Sequence, residues 1–99
     1  MEMELYSSRI RSFIRTYYIR RASSCFEHAS RNADGMVRGT VVISFTIAAN
    51  GDVGNAAIAR NTTNNESVAS CLHRQVDAWR LPTPPEGRAP LSMQMPFSQ

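Results

Sequence analysis

From Thr40 to Ile47 the chain alternates with period two. Val41, Ile43, Phe45 and Ile47 are bulky and apolar, and Thr40, Val42, Ser44 and Thr46 stand between them. Successive strand side chains point to opposite faces, so this run predicts a strand with one buried face. Asn50-Gly51-Asp52 follows and is the strongest hairpin signal in the chain, because asparagine and glycine accept positive φ. A weaker strand is predicted from Val53 to Arg60. Its alanines suit close packing under a helix, and Val53 and Ile58 are out of phase, which points to a bulge or bend. Leu91, Met93, Met95 and Phe97 alternate again as a last strand.

Two other segments follow the helical period. Val68, Cys71, Leu72, Gln75, Val76 and Trp79 mark one face, on which only Gln75 is polar. Thr63-Asn-Asn-Glu66 fits a capping box opening this helix, and Leu81-Pro82 closes it, because proline disfavours the helical conformation of the residue before it. Upstream, Leu5 to Arg31 reads as one helix, with a kink or two shorter helices as the alternative. Its stripe runs through Ile10, Phe13, Ile14 and Tyr17, then drifts to Tyr18, Ala22, Cys25 and Ala29, interrupted by Arg21. Residues 1–9 are the part expected to be least ordered. Asp34-Gly35 signals a turn, and Pro84-Pro85-Glu86-Gly87 a rigid loop. The expected architecture is α+β, a single two-layer domain over residues 1–99. A small open antiparallel three-stranded sheet, in the order α-β-β-α-β, would carry two helices on one face.

Composition narrows the function classes. Ninety-nine residues make one domain, with hydrophobic content of 42% and charged content of 19%. The net charge of +3 is too mild to demand nucleic acid, which also needs stacking aromatics beside clustered cations. Tyr17, Tyr18 and the arginines of the first segment are the only candidates for that, and the tyrosines read better as core. All eleven basic residues are arginine, which reads as coding bias rather than selection for phosphate contacts. Arg9, Arg11, Arg15, Arg20, Arg21 and Arg31 make a solvated face, or else a surface for anionic lipid or cell-wall polymer. No apolar run is long enough to span a membrane, and Met1 to Leu5 has no signal-peptide character.

No nucleophile elbow, phosphate-binding loop or dinucleotide fingerprint occurs, and the carboxylates are thinly spread. Neither catalytic residues nor a cofactor is expected. The two cysteines, Cys25 and Cys71, fall on the faces that their helices should bury. A disulfide is the preferred reading, with buried free thiols or a zinc site as alternatives. Cys25-x-x-His28 has the spacing to share a metal, but Cys71 and His73 diverge by about 200° on an unbroken helix, and both histidines read as surface residues. A disulfide implies an oxidising compartment, so any export signal would lie upstream and the chain would be one domain of a longer protein. Asn61-Thr-Thr63 and Asn65-Glu-Ser67 match the glycosylation acceptor pattern by chance.

Cys25-Phe26-Glu27, Gly39-x-Val41-x-Ile43-x-Phe45-x-Ile47, Asn50-Gly51-Asp52-Val53, Cys71, Trp79-Arg80-Leu81-Pro82 and Pro96-Phe97 together resemble the AgmX/PglI C-terminal domain. That family is a relative of the TonB C-terminal domain, found in proteins such as those of myxobacterial gliding motility. The resemblance covers about residues 10 to 97. Leu81 stands where the family usually has phenylalanine, and Phe26 where tyrosine is common. It implies a TonB-like end domain of an envelope-spanning energy transducer in a Gram-negative periplasm. An inner-membrane anchor would precede it, and it would bind an outer-membrane or periplasmic protein in motility or transport. Rival expectations are a cell-wall or lipid-binding module and an oligomerisation domain, the latter a homodimer through free strands.

The last strand is the candidate docking site. Pro90 and Pro96 flank it, and proline is tolerated at edges and strand starts. They share parity, so the even positions should face outward, leaving the peptide groups of Ser92 and Gln94 free. Ser92, Met93, Gln94 and Met95 then form an edge for strand addition by a partner peptide, unless the prolines serve only against aggregation.

Overall fold

The computed structural model describes residues 2–31 and 35–99. Three helices and three strands follow in the order α1 (Glu2–Tyr17), α2 (Ile19–Arg31), β1 (Thr40–Ile47), β2 (Val53–Asn61), α3 (Glu66–Asp77) and β3 (Leu91–Ser98). The sheet is antiparallel and open, in the order β2-β1-β3. The fold is therefore α+β. The Asp34-Gly35 turn lies partly outside the described residues.

β1 is the centre of the sheet. Val41, Ile43, Phe45 and Ile47 are 0–2% exposed, while the residues between them are half-buried. Val68, Leu72, Val76 and Trp79 join them in one continuous apolar core that also takes in Ile10, Ile14, Phe26 and Phe97. β2 is less regular than β1, as its phase break implies. Its register against β1 shifts twice, between Val42 and Ile43 and between Ser44 and Thr46, and Asn55 has φ of 52°.

The single long helix is corrected to two. The hydrogen bonds run across the junction, from Tyr18 N–H to the Ile14 carbonyl (2.8 Å) and from Ala22 N–H to the Tyr18 carbonyl (3.0 Å). The junction is held from outside. The Tyr18 hydroxyl donates to the Arg80 carbonyl (3.0 Å) and accepts from the Arg80 N–H (3.2 Å), and its ring stacks on Trp79 at 4.9 Å. Tyr17, expected in the core, is 61% exposed and packs its ring on Phe13 at 4.6 Å. Residues 2–9, expected to be least ordered, continue α1. Tyr6 is buried there and donates to the Pro82 carbonyl at 2.8 Å. Desolvation holds its phenol above the ordinary value of 10.0, so its contribution to stability is present below pH 10 and is lost as pH rises through the raised value.

The start of α3 also differs from expectation. Asn65, not Thr63, is the N-cap, its side-chain oxygen accepting from Val68 N–H at 3.0 Å. Thr63 is drawn back by Asn61, whose Oδ1 accepts from the Thr63 N–H and hydroxyl. The helix ends at Asp77, so Trp79 lies past its end. There the chain turns to pair with the hairpin: Val53 N–H donates to the Trp79 carbonyl (3.3 Å), and Leu81 N–H donates to the Gly51 carbonyl (2.9 Å).

Gly51 has φ of 90°, and a Cβ there would collide with the Leu81 carbonyl oxygen. Two independent reasons therefore require glycine, the left-handed backbone and the close approach. Gly51→Ala should cost about 2–3 kcal/mol, read from the shift in urea midpoint at constant slope. A loss below about 0.5 kcal/mol would mean that the hairpin and the 79–82 segment do not touch as described.

Candidate binding surfaces

β3 is an edge strand, paired only with β1. Gly39 and Gln99 exchange both backbone hydrogen bonds, at 3.0 and 3.1 Å. In an antiparallel ladder hydrogen-bonded pairs recur every second residue. Val41↔Phe97, Ile43↔Met95, Phe45↔Met93 and Ile47↔Leu91 are therefore of this kind. The alternate pairs, Val42↔Pro96, Ser44↔Gln94 and Thr46↔Ser92, turn the β3 peptide groups away from β1. The proline at 96 thus loses no ladder bond. Ser92, Gln94 and Pro96 are exposed, Met93 and Met95 are half-buried against the core, and Phe97 is buried. All four candidate edge residues lie together, with the outward amides of Ser92 and Gln94 unbonded among the described residues. Behind this edge, Ser44, Thr46, Asn55, Ser92 and Gln94, together with Phe45 and Met93, line a depression of about 250 Å³.

The other edge is a poorer template. β2 carries both register shifts, and the Ala56 carbonyl is engaged by His73 Nε2 at 2.6 Å. His73 is therefore half-buried and bonded, not the free surface residue that the sequence suggested.

A second surface lies along α2 and α3. Cys25 and Cys71 are joined as a disulfide, with Cα atoms 5.7 Å apart. Cys25 is fully buried and Cys71 is half-buried. The two helices run antiparallel here, because positions descending on α2 meet positions ascending on α3. Below the disulfide Gln75 faces Arg21, and below that Trp79 faces Tyr18. Gln75, the one polar residue on the α3 stripe, explains itself by these contacts. Its Nε2 donates to the Arg21 carbonyl at 2.9 Å and lies 3.3 Å from Cys25 Sγ. Its Oε1 is buried with no hydrogen-bond partner. Tyr18, Arg21, Arg74, Gln75, Ala78 and Trp79 line a groove of about 400 Å³ beside the disulfide. Sequence reasoning did not single out this groove, since its residues come from two helices about fifty positions apart.

The arginines of the α1–α2 arm, Arg9, Arg11, Arg15, Arg20, Arg21 and Arg31, are all exposed. Asn61 and Asn65 serve the turn and cap before α3. Among the described residues no cluster of His, Cys, Asp or Glu could hold a metal ion, and no helix is long and apolar enough to cross a membrane. Compared with family models, curated proteins and solved structures, the chain matches none.

Proposed function

We propose that this domain is a non-enzymatic protein-binding module that docks an extended partner peptide by strand addition to β3. The observation that carries this reading is the regular outer edge of β3. It follows eight consecutive residue pairs with β1 without a register shift, and it turns the peptide groups of Ser92 and Gln94 outward between Pro90 and Pro96. Main-chain hydrogen bonds would give affinity there, and the neighbouring half-buried Met93 and Met95 would receive alternate side chains of the partner. In its wider setting the domain would be TonB-like and periplasmic, the end of an envelope-spanning energy transducer for motility or transport. Its partner would be an outer-membrane or periplasmic protein, and an inner-membrane anchor would lie upstream. The Cys25–Cys71 bond supports the oxidising compartment, and the order of motifs supports the kinship. The same edge also supports a second reading, pairing with another copy of the chain, because an unpaired strand is a template for any strand.

Gln94→Pro separates these surfaces from the rest of the molecule. Its N–H points away from β1, so the substitution should leave the fold and the melting temperature nearly unchanged. Peptides selected by display on the folded domain should lose about tenfold or more in affinity, and in the parent their binding should shift the amide resonances of Ser92 and Gln94. Undiminished binding by the variant would remove this edge from consideration. Light scattering across concentration tests self-pairing: a dimer that Gln94→Pro dissociates would favour the second reading.

A further inference from the structure

We infer that the α2–α3 groove is a second binding site, one that takes a carboxylate side chain presented on a peptide. Arg21 and Arg74 come from different helices and line the same depression. Neither forms an ion pair among the described residues, where the one ion pair is Arg80–Asp52 at 3.6 Å. No carboxylate lines the groove, and Glu66, which shares the neighbouring depression with Arg74, makes no ion pair with it. The two residues bring two positive charges to one depression, and an anion bound there would offset both. Guanidinium also matches the planar carboxylate in a bidentate geometry.

The remaining lining argues for a peptide over a free inorganic anion. Tyr18, Ala78 and Trp79 supply an apolar wall for the stem of an acidic side chain. Inorganic phosphate has no apolar stem to lay against that wall, whereas a glutamate side chain does. The position is also fixed rather than loose. The Arg21 backbone is held by Gln75, the disulfide ties the helices one turn away, and Tyr18 is pinned to Arg80. The site is independent of the β3 edge.

The test uses the 99-residue chain at low ionic strength. The probes are a blocked hexapeptide with one central glutamate, its glutamine counterpart, and inorganic phosphate. Trp79 is the only tryptophan, so its emission reports on the groove, and amide shifts over residues 18–25 and 71–79 locate the contact. The glutamate peptide should saturate, with the glutamine peptide and phosphate each weaker by about tenfold or more, the size of one charge-assisted hydrogen bond. Arg21→Gln and Arg74→Gln should each weaken the glutamate peptide by a similar factor at unchanged melting temperature. Arg11→Gln and Gln94→Pro should leave it unaltered. Equal binding of the glutamine peptide would overturn the proposal. So would phosphate binding as well as the glutamate peptide, or an equal loss in Arg11→Gln, which would signal general attraction to a basic surface.

Discussion

Cys71→Ser should lower the stability of the domain by about 4 kcal/mol, the chain-entropy cost of a loop with this separation. The cysteines are 46 positions apart, and the loop between them contains the whole β1–β2 hairpin and the first half of α3. Without the bond, the unfolded chain regains the freedom of that loop. The folded chain keeps only non-covalent contacts there, among them Gln75 with Arg21 between α2 and α3 and Trp79 with Tyr18 just beyond the two helices. A domain of this size has a total stability of roughly 5–15 kcal/mol, so the loss would be a large share of it. The melting temperature should fall by roughly 15 °C or more. Reductant should lower the parent to the same point and leave Cys71→Ser unmoved. Serine at 71 is the cleaner substitution, because Cys71 is half-buried whereas Cys25 is sealed in the core. Thiol titration of the denatured, oxidised parent should find no free thiol. Two free thiols, or a variant that melts within a few degrees of the parent, would show that the bond does not hold the helices together.

The parts of this fold legible in the sequence are those where one side chain's neighbours lie on its own element. β1 alternates because one face is completely buried, and no second element is needed to read it. The hairpin turn is legible because much of what specifies it is local, Gly51 by its φ of 90° and Asn50 by its side-chain oxygen, which accepts from Asp52 N–H. The α3 stripe is legible for the same reason, and so is the β3 edge, since Pro90 and Pro96 state where ladder donors are absent. What escaped the sequence depends on distant partners. The α1–α2 junction keeps its helical hydrogen bonds, so no local breaker marks it. It is fixed by Tyr18 against Trp79 and Arg80, about sixty residues away. Thr63 and Asn65 are both good cap residues, and the choice between them is made by Asn61, which engages Thr63. Arg21 and Arg74 are two of eleven arginines until the antiparallel docking of α2 on α3 sets them around one groove. Gln75, read only as a polar interruption, is the residue that records this docking.

Trp79→Ala should be the most damaging single substitution in the core, at about 4–5 kcal/mol, with Phe45→Ala close behind at about 3–4 kcal/mol. The reason lies in where Trp79 stands. It is past the end of α3, so its replacement costs nothing in helix propensity and the loss is one of packing. Its ring stacks on Tyr18 at 4.9 Å and meets Phe45 and Phe97 edge-on at 6.0 and 5.9 Å. It thus touches the α1–α2 junction, the central strand and the edge strand at once, and none of these can collapse into the space without leaving the other two. Phe45 is 2% exposed on the central strand and is the smaller ring, so its removal takes away less packed surface. Urea unfolding followed by circular dichroism gives both values, since Trp79→Ala removes the only tryptophan. The Trp79→Ala loss should also expose the β3 edge, because Phe97 is one of the contacts that hold β3 against the core. Amide exchange at Met93 and Met95 should therefore accelerate more than at Val41 or Ile43 in the same variant. A cost below about 1 kcal/mol at Trp79 would mean that the helices and the sheet do not meet at this ring.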